Sequence, residues 1–132
     1  MKVVALDFGS ARTGVAVSDS TGTIARPLAV VERAASEGGL ARIVELVRAE
    51  GAERVVVGLP LTLRGERGAQ AQETEAFVEA LRGAVEVPVE SYDERFTTGL
   101  AASGGSDDAP EDARAAAHLL SSYLEWSSAA RG

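Results

Sequence analysis

Three acidic positions in this 132-residue chain have the type and the setting for chemistry. Asp7 stands near the end of an apolar run, Val3-Val4-Ala5-Leu6-Asp7-Phe8, and a glycine-containing turn, Gly9-Ser10-Ala11-Arg12-Thr13-Gly14, follows it. An ionised carboxylate inside a strand is costly unless a cation pairs with it. Glu94 lies beside Asp93 after another apolar stretch, within Tyr92-Asp93-Glu94-Arg95-Phe96-Thr97-Thr98. Asp112 falls in the first turn of a C-terminal helical pattern, where Asp112, Ala116, Leu119, Tyr123 and Trp126 share one stripe at the 3.6-residue period. The rest of that stripe is of core type, so Asp112 is expected to face the sheet. The plainer alternatives are that Asp7 caps its turn and that Glu111 and Asp112 complement the helix dipole.

Carboxylates brought together repel and raise one another's pKa. A divalent cation offsets that repulsion. With no cysteine and a single histidine, zinc is disfavoured. Hard oxygen donors point to Mg²⁺ or Mn²⁺. Asp7, Glu94 and Asp112 are therefore the expected metal ligands and catalytic groups. Such a set can hold two ions about 3.5–4 Å apart and clamp an in-line phosphoryl displacement without a protein nucleophile. Arg12, Arg64, Arg67 and Arg95 are the candidates for binding substrate phosphate, since guanidinium makes bidentate phosphate contacts. His118 reads as a packed or half-exposed helix residue, and Trp126 as a core or interface residue.

The composition bounds the function. The net charge of −7 argues against a broad, strongly basic nucleic-acid surface and leaves room for a local arginine patch. The absence of cysteine excludes disulfides and thiolate chemistry, and fits a reducing compartment. Met1-Lys2 leads into a strand instead of a signal peptide, and no apolar stretch is long enough for a bilayer. A cytoplasmic, membrane-free protein forming one domain over residues 1–132 is expected.

The elements that must position these groups can be read from patterning. Lys2–Phe8 and Thr13–Ser18 read as a strand hairpin, and Thr23–Val31 as a third strand with Pro27 at an edge or bulge. Ser36 reads as the cap of a helix to about Glu50, with Leu40, Ile43, Val44 and Val47 on its buried face and Gly51 as its stop. Arg54–Leu59 reads as a buried strand. A loop at 61–68 carries Arg64 and Arg67. Ala69–Arg82 reads as a helix with Thr74, Phe77, Val78 and Leu81 inward. Val85–Ser91 is the expected fifth strand, and Tyr92–Thr98 leads into a short helix. Pro110 suits the start of a last helix running to about Ser127. This order implies an α/β fold: a mixed five-stranded sheet, antiparallel over its first three strands and parallel afterwards, flanked by helices. Ligands of such sheets sit beyond the carboxyl ends of the strands, where Asp7, Pro60 and Asp93-Glu94 converge.

Leu6-Asp7-Phe8-Gly9 through Thr13-Gly14-Val15-Ala16-Val17-Ser18, Val57-Gly58-Leu59-Pro60-Leu61, and Asp93-Glu94-Arg95-Phe96-Thr97-Thr98 together resemble the YqgF/RuvX family of bacterial RNase H-like proteins. The resemblance covers nearly the whole chain in order. It implies an RNase H-like fold with a Mg²⁺- or Mn²⁺-dependent carboxylate site, in which Asp7, Glu94 and Asp112 match the family's acidic positions. It also implies a role in maturing the 5′ end of pre-16S ribosomal RNA, with Holliday-junction-like branched DNA as the alternative substrate. A homodimer is the expectation for symmetric junction cleavage. Members usually carry a Lys/Arg-rich loop before the last helix. Here that stretch is Gly104-Gly105-Ser106-Asp107-Asp108-Ala109-Pro110-Glu111, short and acidic, and Thr62 stands where Asn is common. The acidic loop motivates a competing class, a weakly catalytic RNA- or ribosome-binding module. An ATPase half of the actin and sugar-kinase type is the third, opposed by the short chain and the lack of a second phosphate loop.

Overall fold

A computed structural model describes residues 1–62, 64–97 and 108–131, the last three by backbone alone. Residues 104–107 of the acidic loop lie outside the described residues. The elements run β1 (Val3–Asp7), β2 (Arg12–Ser18), β3 (Ala25–Glu32), α1 (Glu37–Glu50), β4 (Arg54–Leu59), α2 (Ala69–Arg82), β5 (Val89–Asp93), a 3-10 turn (Glu94–Phe96) and α3 (Glu111–Arg131). The strands form one sheet in the order β3-β2-β1-β4-β5. β1–β2 and β2–β3 pair antiparallel, whereas β1–β4 and β4–β5 pair parallel. The mixed sheet expected from the alternation of patterns is therefore the sheet observed.

Side chains alternate between the two faces of each strand. Val4, Leu6, Val15, Val17, Val55 and Val57 pack toward α1 and α2, where Phe77, Val78 and Ile43 complete a branched aliphatic and aromatic core. Phe8 and Phe77 stack there with ring centroids 4.5 Å apart. Val3, Ala5, Ala16, Val56 and Tyr92 pack toward α3, against Ala116, Ala117, Leu120 and Tyr123. Small residues dominate this second face, so α3 lies close to the sheet. The same alternation places Asp7 on the α3 face, two residues after Ala5.

Several boundaries differ from the sequence expectation for local reasons. β5 begins at Val89, not Val85. The Val85 amide donates to the Leu81 carbonyl at the end of α2, and Pro88 has no amide to give a ladder; its carbonyl instead accepts from Val55 at 2.9 Å. β3 begins at Ala25 because the Asp19 carboxylate accepts from the Thr23 and Ile24 amides and holds them in the turn. Pro27 lies at the irregularity between β2 and β3, as its missing amide requires. The buried face of α1 is Gly39, Ile43, Leu46 and Val47, and Val44 is only half-buried. The cause is Gly39: a Cβ there would lie 2.0 Å from the Arg33 carbonyl, so the helix start presses onto that backbone and sets the rotation. Ser36 caps α1 by accepting from the Gly39 amide, and Gly51 ends it at φ 64°. α3 extends to Arg131, beyond the expected end near Ser127.

Candidate active site

Asp7 and Glu94 meet although β4 lies between their strands. The Leu6–Val57 pairing sets Asp7 beside Gly58 at the next step of the ladder. Gly58 also pairs with Tyr92 of β5, and Leu59 with Asp93, so Glu94 begins one residue past the sheet. The Glu94 side chain then folds back over Gly58. A Cβ on Gly58 would stand 2.6 Å from Glu94 Oε1 and 3.0 Å from Leu119 Cδ2. Only the bare backbone of glycine leaves that passage open.

The two carboxyl groups share a hydrogen bond. Burial is the largest influence on Glu94, followed by that bond and the charges of Asp7 and Asp93; together they push its carboxyl up to about 7. Burial also raises Asp7, the bond to Glu94 opposes the rise, and the nearby charge of Asp112 adds to it. Two half-buried carboxyls sharing one proton are the expected outcome when like charges meet without a cation. Beside them, Arg95 clamps Asp93 through Nη2–Oδ2 at 2.6 Å and Nε–Oδ2 at 2.9 Å, while the Arg95 amide donates to Oδ1 at 2.9 Å. Arg95 thereby holds Asp93 below its ordinary range and fixes the 3-10 turn that presents Glu94.

Asp112 arrives by a different route. Gly14 is the ladder partner of Asp7. A Cβ on Gly14 would lie 1.8 Å from the Asp112 carbonyl oxygen, so the first turn of α3 rests directly on β2. Its carboxylate is turned to Arg12, whose Nε stands 3.1 Å from Oδ2. Asp112 is thus near enough to raise Asp7 but is paired with a cation of its own. Among the described residues no three His, Cys, Asp or Glu side chains are gathered as a metal cage. The donor set nonetheless fits a hard divalent cation: two hard oxygen groups are held together at the cost of a shared proton, a third lies within electrostatic reach, and a cation would replace the proton and the guanidinium.

The remaining candidates divide. Arg12 and Arg95 border the carboxylates, each engaged by an aspartate. Arg64 is exposed on the β4–α2 loop. Arg67 donates from Nε to Glu75 at 2.7 Å on α2. Trp126 lies at the surface, 51% exposed, with its ring 5.9 Å from Tyr92 and from Tyr123.

A cavity of about 360 Å³ opens onto the pair, lined by Asp7, Glu94, Thr97, Ala115, His118 and Leu119. Thr97 and His118 were absent from the candidates drawn from sequence. Thr97 carries no periodic signal within the Asp-Glu-Arg segment, and His118, half-buried as its reading as a packed or half-exposed helix residue expects, carries no sequence signal that places it at the site. A larger open groove of about 710 Å³ lies along α1, lined mainly by Leu40, Ala41, Val44 and Ala49, and none of the candidate residues borders it.

Known proteins share this architecture. The family model described as RuvX, Holliday junction resolvase, matches residues 1–126. A Chloroflexus aurantiacus relative provisionally named pre-16S rRNA nuclease is 49% identical over 96 residues, 73% of this chain and 63% of its own length. The chain therefore spans less than two thirds of that relative. A Rubrobacter xylanophilus relative of the same name is 45% identical over 131 residues, covering 94% of this chain and 92% of its own. The T. thermophilus RuvC structure in complex with a Holliday junction substrate superposes with a TM-score of 0.74 at 19% identity, covering 98% of this chain and 96% of that one. That likeness establishes the RuvC-like, RNase H-like fold.

Proposed function

This chain belongs to the RuvX family, and from that premise we propose that it is a divalent-metal-dependent nuclease acting on the pre-16S ribosomal RNA precursor. The observation that carries the proposal is the Asp7–Glu94 carboxyl pair, half-buried at the carboxyl ends of β1 and β5 with Asp112 beside it. Asp7, Glu94 and Asp112 would hold Mg²⁺ or Mn²⁺. When bound, such cations supply Lewis-acid activation of water and neutralise charge at the phosphate.

The chain's own groups do the rest. Asp7 and Glu94 would give up their shared proton to hold the cation. Asp112 would turn from Arg12 to the cation, freeing the Arg12 guanidinium at the rim for a phosphate oxygen. Arg95, tied to Asp93, keeps Glu94 aimed inward. Arg64, exposed on the β4–α2 loop, extends the phosphate contact. The small sheet face beneath α3 keeps these groups on rigid elements, the condition for a productive geometry.

Branched DNA is the second substrate, favoured by the RuvC-like fold and by the family description. Symmetric cutting of a junction requires two sites and hence a dimer. The deciding experiment offers labelled precursor RNA and a four-way DNA junction to the wild-type chain with Mn²⁺, Mg²⁺ or EDTA. Metal-dependent cutting of the RNA in preference to the junction is expected. Cutting of the junction alone would move the assignment to resolution, and binding without cutting of either would favour a binding module.

A further inference from the structure

Two large aromatic side chains stand open to solvent around one buried ring. Phe96 is 58% exposed and Trp126 51%. The ring centroid of Tyr92 lies 6.1 Å from that of Phe96 and 5.9 Å from that of Trp126. Apolar side chains exposed singly are ordinary, whereas two gathered on one anchor call for an occupant. Among the described residues no ring stacks parallel on either. The planes of Phe96 and Tyr92 meet at 60°, and Trp126 is tilted by 52° from Tyr92 and by 43° from Tyr123.

Both rings are held firmly in place. Tyr92 is buried, and its hydroxyl shares a 2.9 Å hydrogen bond with Ser122 Oγ of α3. Ser122 Oγ in turn donates to the Phe96 carbonyl at 2.9 Å. The Thr97 amide donates to the Glu94 carbonyl at 3.0 Å and closes the 3-10 turn that carries Phe96. Tyr123 meets the edge of Tyr92 with centroids 5.6 Å apart and supports Trp126 at 5.9 Å. Rings ordered in advance lose little freedom when a flat ligand lands on them.

Position and charge narrow the occupant. Phe96 shares its 3-10 turn with Glu94. Trp126 lies on α3 two helical turns beyond Leu119, a residue of the cavity wall beside the carboxyls, roughly 10 Å along the helix axis. The two rings therefore continue from the carboxylate site along α3. With a net charge of −7, and with Glu125 exposed next to Trp126, the chain has no broad phosphate attraction to offer there. A nucleobase is uncharged and presents a π-face whatever its identity. Two half-exposed rings offer on the order of 200 Å². That suits one or two bases and falls well short of the roughly 800 Å² per partner of a stable protein interface.

We propose that Phe96 and Trp126 form a stacking platform for unpaired nucleobases of the strand that flanks the scissile bond. The inference rests on the nuclease reading and deepens it, because it makes the substrate single-stranded beside the cut. Unpaired bases splayed onto aromatic side chains are the usual way in which a protein holds such a strand. Tyr92 is the positioning residue that sets the two rings.

Trp126 is the one tryptophan of the chain, so its emission reports on the platform directly. The test titrates a short unpaired oligoadenylate into the wild-type chain in EDTA. Saturable quenching is expected, absent with an abasic strand of the same length and with a fully paired RNA duplex. Phe96→Ala should weaken binding by about fivefold or more, and Phe96→Tyr should keep it. The anisotropy of an end-labelled strand should show a similar loss in Trp126→Ala. Both side chains are exposed, so the variants should fold, and melting curves check that they do. No quenching, equal quenching by the abasic strand, or unchanged affinity in both alanine variants would overturn the platform. So would emission that shifts with chain concentration alone, the mark of a self-association face. Metal-dependent cleavage is measured on the same preparations. Cutting without stacking would overturn the platform and leave the nuclease standing, and stacking without cutting would do the reverse.

Discussion

Glu94 reaches Asp7 over the bare backbone of Gly58. The two carboxyls come from strands separated by β4, and a methyl group at position 58 would stand 2.6 Å from Glu94 Oε1. Gly58→Ala is therefore expected to drive Glu94 off Asp7 and lower metal-dependent cleavage by more than tenfold. The loss of stability should stay within about 1–3 kcal/mol, the usual cost of overpacking. Cleavage rates and urea melts of the same preparation check both expectations. A Gly58→Ala chain that cuts at the wild-type rate would show that the passage is immaterial.

The shared proton has a consequence for stability in the absence of metal. Glu94 titrates near 7 in the folded chain and near its ordinary 4.5 when unfolded. Between those values the folded state binds more protons, so stability falls as pH rises. In EDTA the contribution of this site is present below about pH 4.5, is lost as pH rises through about 7, and is flat above. The raised Asp7 carboxyl adds in the same direction. Melting temperatures from pH 4.5 to 8 should show a steeper decline for the wild type than for Glu94→Gln. Equal slopes would speak against a buried shared proton.

Gly14 carries a purely structural load. Its substitution by alanine would place Cβ 1.8 Å from the Asp112 carbonyl oxygen and 3.0 Å from the Ala113 amide nitrogen, where backbone meets backbone and no side chain can yield. Gly14→Ala is expected to cost about 3 kcal/mol or more, at the upper end for overpacking. It should also displace Asp112 and reduce cleavage. Urea denaturation with a midpoint close to wild type would contradict the close docking of α3 on β2.

The Arg12–Asp112 pair should behave differently. Both side chains are substantially exposed, 64% and 41%. Removing Arg12 should change stability by less than about 1 kcal/mol. Asp112→Asn is expected to change stability as little, yet to abolish metal-dependent cleavage. An Asp112→Asn chain retaining full cleavage would confine that residue to complementing the helix dipole.

Much of this arrangement is legible in the sequence, and the exceptions have physical causes. Alternation and helical periodicity report burial, so the sheet, α2 and the cap at Ser36 could be read directly. Val85 and Val87 read as strand residues because they are apolar, yet they pack against the edge of the core without joining the ladder. The rotation of α1 follows from a close approach at Gly39, which periodicity does not register. At the site, Asp7 and Glu94 could be singled out as carboxylates at strand ends. Their contact depends on Gly58, whose meaning emerges only once β4 lies between them. Thr97 and His118 are ordinary residue types that only the folded arrangement brings to the cavity wall beside the carboxyls.

The most direct measurement is Mn²⁺-dependent cleavage of labelled precursor RNA by the wild-type chain, Asp7→Asn and Glu94→Gln, each with an EDTA control. Cutting by the wild type that EDTA abolishes, and a loss of at least about a hundredfold in either variant with the fold intact, is the expected result. Cutting that survives both substitutions would contradict the assignment of the Asp7–Glu94 pair as the centre of the chemistry.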